Sequence, residues 1–164
     1  DASQHAVSQL ADGGRKRIAM INHDLSYKYA RLRERGYKSV IHLRDLDYQA
    51  VEYASDLSSG AGMAAMQNLL KDNPPDAVFA VSDTLAAGAL RAIQQAGLRV
   101  PEDIAVVGFD GTELADMISL TTIEQPSRDI GRKAVNLLLN KIDNPDAPTE
   151  RVMMDWRFIS RAST

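Results

Sequence analysis

Short apolar runs alternate along the chain with longer segments in which apolar residues recur at helical spacing. The run at residues 77–81 (AVFAV) is wholly apolar, and residues 104–109 (IAVVGF) form a second run of the same kind. Continuous runs of this length are typical of central strands that are covered on both faces of a sheet. The pattern predicts six strands, at residues 17–22, 51–54, 77–81, 104–109, 120–123 and 152–159.

Helical segments fall between these strands. An opening helix ends at Gly13 and Gly14, and a helix at residues 61–71 ends at the polar and proline-rich residues 73–75. Strands that alternate with helices indicate an α/β fold with a parallel sheet. The remaining helices are predicted at residues 28–43, from the capping cluster Ser82, Asp83 and Thr84 to Gly97, and at residues 127–142 with Ser127 as the N-cap.

Length, charge and cysteine content exclude several classes of protein. A chain of 164 residues fits one compact domain, or one lobe of a larger one. With 22 acidic and 19 basic residues, the chain lacks the excess of Lys and Arg that a DNA-binding surface spread over it needs, so any DNA contact must lie elsewhere. The absence of cysteine excludes disulfides and cysteine-based metal sites and agrees with a cytoplasmic location. No apolar run approaches the ~18 residues of a membrane helix, and residues 1–17 hold no secretory signal.

Polar side chains follow the ends of the predicted strands. In an open α/β sheet, ligands bind outside the carboxyl ends of the strands, so these side chains are candidates for a binding rim. Carboxylates accept from hydroxyl groups and arginine donates parallel bonds, a combination that suits a neutral ligand rich in hydroxyls better than a phosphate. Asp83 is expected first of all to cap its helix. The rim candidates are Asn22, His23, Asp24, Ser82, Asp83, Asp110, Glu124 and Gln125, with Arg31 and Arg33 one helical turn beyond the first strand.

Templates of catalysis and metal binding do not occur in the sequence. There is no nucleophile elbow, P-loop or zinc-protease motif, and the three histidines are His5, His23 and His42, which are widely spaced. We therefore expect a protein that is not an enzyme and that uses no metal or cofactor.

Several longer segments together resemble the C-terminal part of the lactose-repressor/galactose-repressor (LacI/GalR) family of bacterial transcription regulators. The resemblance extends over essentially the whole chain. The segments that carry it are ALRAIQQAGLRVPEDIAVVGFDG (residues 89–111), LTTIEQP (120–126), IGRKAVNLLLNKI (130–142) and ISRAST (159–164), with GGRKRIAMI (13–21) and RLRERGY (31–37).

The resemblance implies a three-layer parallel-sheet lobe of the periplasmic-binding-protein-like (type I) fold, in truncated form. Residues 1–126 and 150–164 would form the C-terminal lobe of an effector-binding core. Residues 127–149 would be a helix and turn that belong to the N-terminal lobe. Without that lobe the helix would expose an apolar face, so we expect it to pack on the rest of this chain or on a second copy. The DNA-binding helix-turn-helix would lie outside this chain, which opens at Asp1 without an initiator Met and is expected to be a fragment or a processed chain.

The resemblance also implies which residues contact the effector, a sugar or similar small metabolite. Arg33 matches the family's effector-clamping arginine, and Asp110 matches the acidic residue that accepts ligand hydroxyls. Ser82 stands where sugar-responsive members often have Asn, and Gln125 stands at the last crossing between the lobes. Leu57 replaces an aromatic residue that stacks on the ligand ring, and Tyr29 is the candidate that would compensate for its loss. The expected effector-binding set is Arg33, Asp110, Ser82, Asp83, Gln125, Leu57 and Tyr29.

Family members form homodimers, which makes Leu114, Met117 and Ile118 candidates for an interface, although an ordinary core role is equally compatible with their spacing. The function implied is allosteric control of operator DNA binding by a small effector. The alternative is a periplasmic sugar-binding component of a transporter, because VVGFDG also occurs in that fold.

Overall fold

The computed structural model describes residues 1–164 and contains six strands and six helices in an alternating order. The strands are β1 (Ile18–Asn22), β2 (Ala50–Tyr53), β3 (Ala77–Ala80), β4 (Ala105–Asp110), β5 (Thr121–Glu124) and β6 (Arg157–Ile159). The helices are α1 (Ala2–Asp12), α2 (Lys28–Leu43), α3 (Ser59–Leu69), α4 (Asp83–Gln95), α5 (Glu113–Met117) and α6 (Ser127–Asp143).

All six strands form one sheet in the order β2-β1-β3-β4-β5-β6. The first five are parallel to their neighbours, and β6 runs antiparallel to β5. Right-handed crossovers that run outward from β1 to β2 and then back across to β3 and β4 place their helices on opposite faces of the sheet. Accordingly α1 packs with α2, and α3 packs with α4. The predicted α/β fold with a mainly parallel sheet is confirmed.

The core follows from the continuous apolar runs of the central strands. Every residue of β1 and β3 is buried, as expected for strands with helices on both faces. Tyr37 on α2 is also wholly buried, and its hydroxyl donates to the carbonyl of Ile18 at 2.7 Å. Two glycines allow α3 and α4 to approach closely: a Cβ at Gly62 would lie 2.7 Å from Leu85 Cα, and one at Gly88 would lie 2.6 Å from the Met63 nitrogen.

Two predictions about local structure are wrong, and one short helix was missed. The last strand covers Arg157–Ile159 instead of residues 152–159, because β5 pairs only from Thr122 to Glu124. Ser127 is the first residue of α6 and makes no capping bond, since Pro126 occupies the N-cap position. The short helix α5 was not predicted, because a segment of five residues is too short to display helical periodicity.

Helix α6 stands apart from the rest of the fold. None of its residues is buried, and five of its large apolar side chains are exposed: Ile130, Val135, Leu138, Leu139 and Ile142. Of the two partners predicted for α6, the remainder of this chain is therefore wrong, because α1 to α4 already cover the faces of the sheet. Packing on a second copy stays a prediction. No helix of the chain is both long and apolar enough to cross a membrane.

Candidate functional site

The carboxyl ends of β1, β3 and β4 meet at one edge of the sheet. Strand order reverses between β1 and β3, and this is the place where open α/β sheets form a ligand crevice. A cavity of about 240 Å³ lies there. It is lined by Tyr29, Arg33, Leu57, Val81, Ser82 and Asp110. Five of the seven residues that were predicted to contact an effector thus share one cavity.

Arg33 reaches this cavity from α2. Its guanidinium carbon lies 3.6 Å from the centre of the Phe109 ring, and the side chain is only 13% exposed. One terminal nitrogen donates to the carbonyl of Val81, and the other lies 3.4 Å from Asp110 Oδ1. Burial lowers the pKa of Arg33, and the nearby Asp110 carboxylate opposes that shift. An arginine stays charged over the whole physiological range, so Arg33 presents a fixed positive charge with donors to spare.

Asp110 ends β4 and faces Arg33. Its Oδ1 accepts from Gln125 Nε2 at 2.8 Å, while its Oδ2 receives no hydrogen bond from the chain and is free to accept one from a ligand. Burial raises the pKa of Asp110 above the ordinary value of 3.8, and the charge of Arg33 partly offsets this rise. Gln125 is therefore brought into the site through Asp110 without lining the cavity itself.

Asp83 lies behind the cavity. Ser82 is the residue that caps α4, since its Oγ accepts from the Leu85 nitrogen at 3.2 Å. The expectation that Asp83 caps this helix is wrong: Asp83 is the first helical residue, wholly buried, with carboxylate oxygens that accept from Thr112 and Thr122. In this structure those bonds leave it no exposed surface with which to touch a ligand.

Tyr29, in the first turn of α2, and Leu57, in the loop between β2 and α3, line the cavity from two different segments. The Tyr29 hydroxyl lies 2.9 Å from His23 Nδ1, and the Tyr29 ring stacks against His23 and lies 5.1 Å from the Arg33 guanidinium carbon. Burial raises the pKa of Tyr29, so its hydroxyl remains protonated at neutral pH. His23, one of the rim candidates, orients Tyr29 through these contacts. The closely spaced aromatic residues at 23, 27 and 29 were the sequence signal for this cluster.

The other rim candidates have structural partners. Asn22 is buried and donates to Glu34 Oε2 at 2.8 Å, and Glu34 also accepts from the Tyr53 hydroxyl. Asp24 and Glu124 bond within their own surroundings, to Ser26 and to Arg157. Arg31 donates to carbonyls of the loop that precedes α2. No group of three or more His, Asp or Glu side chains is placed to hold a metal ion.

The three candidate interface residues lie on or beside α5. Met117 is 77% exposed, whereas Leu114 and Ile118 are half-buried. Ala115 between them is wholly buried and anchors this short helix to the core.

Comparisons with known proteins agree with this architecture. A periplasmic binding protein-like domain matches residues 7–164. The ribose operon repressor of Escherichia coli is 37% identical over 163 residues, which cover 96% of this chain and 49% of the repressor. The chain thus spans about half the length of the curated relatives it matches.

Solved structures give the same result. An uncharacterized protein from Actinobacillus succinogenes is 47% identical, with a TM-score of 0.93 over 99% of this chain and 61% of that one. A LacI family transcriptional regulator from Enterococcus faecium with bound ribose is 28% identical, with a TM-score of 0.90 over 99% of this chain and 62% of the regulator. The chain belongs to the periplasmic-binding-protein-like domain family, and it is similar over nearly its whole length to regulators of the lactose-repressor type.

Proposed function

We propose that this chain is the sugar-binding C-terminal lobe, with one connecting helix, of a transcription regulator that responds to a small effector. The observation that carries this proposal is the pair Arg33 and Asp110, which face each other at 3.4 Å in a half-open cavity at the strand-order reversal. Both side chains are held by the protein, and both retain hydrogen-bonding capacity for a ligand.

The chemistry of the pair selects neutral polyhydroxylated molecules. Asp110 Oδ2 accepts from a hydroxyl, and the Arg33 guanidinium donates to a hydroxyl or ring oxygen of the same molecule. The Tyr29 ring offers a flat face where Leu57 offers only an aliphatic surface. Since one relative is a ribose operon repressor and one structural relative holds ribose, a pentose is the first effector to try.

The exposed apolar face of α6 supports the proposed division of the chain. Residues 1–126 and 150–164 would form the lobe, and residues 127–149 would belong to a second lobe formed by other parts of the full-length protein. Apolar side chains such as Leu138 and Ile142 would then be covered by that second lobe. The antiparallel β6 returns the chain to the first lobe.

In this mechanism the effector bridges the two lobes. Contacts with Arg33 and Asp110 on one side and with the second lobe on the other favour one angle between the lobes. A ligand shifts such an equilibrium only by the difference between its affinities for the two angles. That shift would change the affinity of a homodimer for operator DNA, through a DNA-binding domain outside this chain, in the cytoplasm where the operator lies.

The transporter alternative predicts no DNA binding at all. The relatives that cover this chain over nearly its full length are transcriptional repressors, which favours a regulator over a transport component. The same similarity to repressors favours a binding protein over an enzyme.

The test uses fluorescence anisotropy with the full-length protein and DNA from the region upstream of its own gene. A regulator binds this DNA, and adding ribose or another pentose or hexose shifts the binding curve. Failure to bind DNA in the presence or absence of every sugar would overturn the proposal.

A further inference from the structure

Asp83 is the one charged side chain near the site that is wholly buried, and direct contact with an effector does not account for its position. A carboxylate in the interior is costly unless hydrogen bonds replace its hydration.

The partners of Asp83 lie on two other elements. Its Oδ2 accepts from the Thr112 backbone nitrogen at 2.7 Å and from Thr112 Oγ1 at 2.9 Å. Its Oδ1 accepts from Thr122 Oγ1 at 2.6 Å. Asp83 thus ties the start of α4 to the turn after β4 and to strand β5.

The turn that Asp83 holds contains Asp110 in an unfavourable backbone conformation. Asp110 has a φ of 111°, and Gly111 follows with a φ of 71°. A residue with a side chain reaches such a φ only at a cost, so the surrounding structure must maintain it. Thr112 is the next residue along the chain, and both its backbone and its side chain bond to Asp83.

The surroundings leave Asp83 and the turn little room to move. A Cβ at Gly108 would lie 2.5 Å from Asp83 Oδ1 and 2.8 Å from Leu120 Cδ2. A Cβ at Gly111 would lie 2.6 Å from Glu124 Cβ. Glycine at these two positions lets β4 pass close to Asp83 and lets the turn press against β5.

We infer that Asp83 is a positioning residue that holds the turn at residues 110–112, so that the Asp110 carboxylate faces Arg33 without Asp83 itself touching the effector. The link to effector affinity rests on the proposed function, whereas the link to the conformation of the turn does not. The hydrogen bonds between Thr112 and Asp83 fix the backbone of the turn, and this fixes the position of the Asp110 carboxylate at the cavity.

The experiment uses the full-length protein, with Thr112→Val and Thr112→Ser as a matched pair and Asp83→Asn as a third variant. Thr112 is exposed, so its substitution leaves the core intact. The first readout is amide hydrogen exchange at Gly111 and Thr112 without ligand. The second is calorimetric affinity for ribose, or for the tightest-binding sugar among pentoses and hexoses if ribose does not bind.

Loss of one hydrogen bond to a carboxylate corresponds to at least about tenfold, so Thr112→Val is expected to exchange about tenfold faster at both amides and to bind the sugar about tenfold more weakly. Thr112→Ser retains the hydroxyl and restores both values to within about twofold of the wild type. Asp83→Asn removes a negative charge that raises the pKa of Asp110, so that pKa moves down in a nuclear magnetic resonance titration.

Unchanged amide exchange in Thr112→Val would overturn the inference, as would equal losses in Thr112→Val and Thr112→Ser. A Thr112→Val protein with fast exchange but wild-type sugar affinity would also overturn it. A fourth variant, Asp110→Asn, separates failure of this inference from failure of the proposed function. If the proposed function is wrong, Asp110→Asn also leaves the sugar affinity unchanged.

Discussion

Asp110 combines a positive φ, a partly buried charge and a position opposite Arg33 in one residue. Its side chain is 34% exposed, which leaves room for a ligand hydroxyl while Arg33 and Gln125 occupy one carboxylate oxygen. The strained backbone lowers the stability of the fold, and so does burial of the carboxylate, which raises its pKa. Residues that cost stability in this way are typical of binding sites.

The positive φ makes a prediction about stability that involves no ligand. Asp110→Gly is expected to be more stable than Asp110→Ala by about 1 to 2 kcal/mol, because glycine reaches this φ without steric cost. Urea unfolding of the two variants measures the difference. Equal midpoints, or a more stable Ala variant, would show that the backbone at residue 110 is unstrained.

The raised pKa of Asp110 predicts a pH dependence of effector binding. Protonation removes the charge that strengthens the hydrogen bonds of this carboxylate and turns one oxygen into a hydroxyl donor, so affinity should fall as the pH drops through this pKa, by up to about tenfold per pH unit. Because the pKa lies above 3.8, the loss begins at a higher pH than for an ordinary aspartate. For folding the sign is opposite: the contribution of Asp110 is most favourable below its unfolded pKa and is lost as the pH rises through its folded pKa.

Calorimetry as a function of pH, with Asp110→Asn alongside, tests this dependence. The wild type should lose affinity on acidification, and the variant should bind weakly with a flatter profile. A wild-type profile that matches the variant's would assign the titrating group to another residue.

At the scale of single residues, the sequence was informative where a side chain follows a strand end or matches a family motif. Arg33, Ser82 and Asp110 were predicted for these reasons and share the cavity. The roles of Asp83 and His23 depend on Thr112, Thr122 and Tyr29 as spatial neighbours. Sequence spacing does not reveal such contacts between separate elements.

At the scale of elements, the closest packing in the fold is between α3 and α4. Gly88 faces the backbone of Ser59 and Met63 with no space for a side chain, and Gly62 faces Leu85 in the same way. The apolar periodicity of both helices was visible in the sequence. Their contact distance was not, because it depends on the backbone of the opposite helix.

Gly88→Ala should therefore destabilise the protein by about 1 to 3 kcal/mol, the usual cost of overpacking a core. Gly131→Ala is the matched control, since this glycine lies in α6 with nothing near its Cβ, and there alanine should stabilise the helix by up to about 1 kcal/mol. Thermal unfolding distinguishes the two. If Gly88→Ala were as stable as the wild type, the two helices would be farther apart than described.

At the scale of the whole molecule, the parallel sheet was predictable because its strands are continuous apolar runs between helices. The position of α6 was not, because its amphipathic pattern requires a partner but does not identify one. The structure shows that this partner is not the rest of the chain, since no residue of α6 is buried. Under the proposed function, the partner is a second lobe of the full-length protein.

The proposed second lobe makes Leu138 a test of the domain division. Leu138 is 61% exposed in this chain, yet in the full-length protein Leu138→Ser should cost about 2 to 4 kcal/mol if the second lobe covers it. Leu43→Ser, at a residue 78% exposed at the end of α2, should change stability by less than about 0.5 kcal/mol. Equal small effects of both substitutions in denaturant unfolding would contradict the proposed division.

The central claim is that Asp110, opposite Arg33, holds the effector. Its most direct test is calorimetric titration of the full-length protein with pentoses and hexoses, comparing Asp110→Asn with Asp72→Asn. Asp72 carries the same charge on an exposed turn that precedes β3, at the end of that strand away from the cavity. We predict that Asp72→Asn binds like the wild type and that Asp110→Asn loses at least about tenfold in affinity, the loss expected for a charged hydrogen bond. Equal affinities of the two variants for the same sugar would contradict the account.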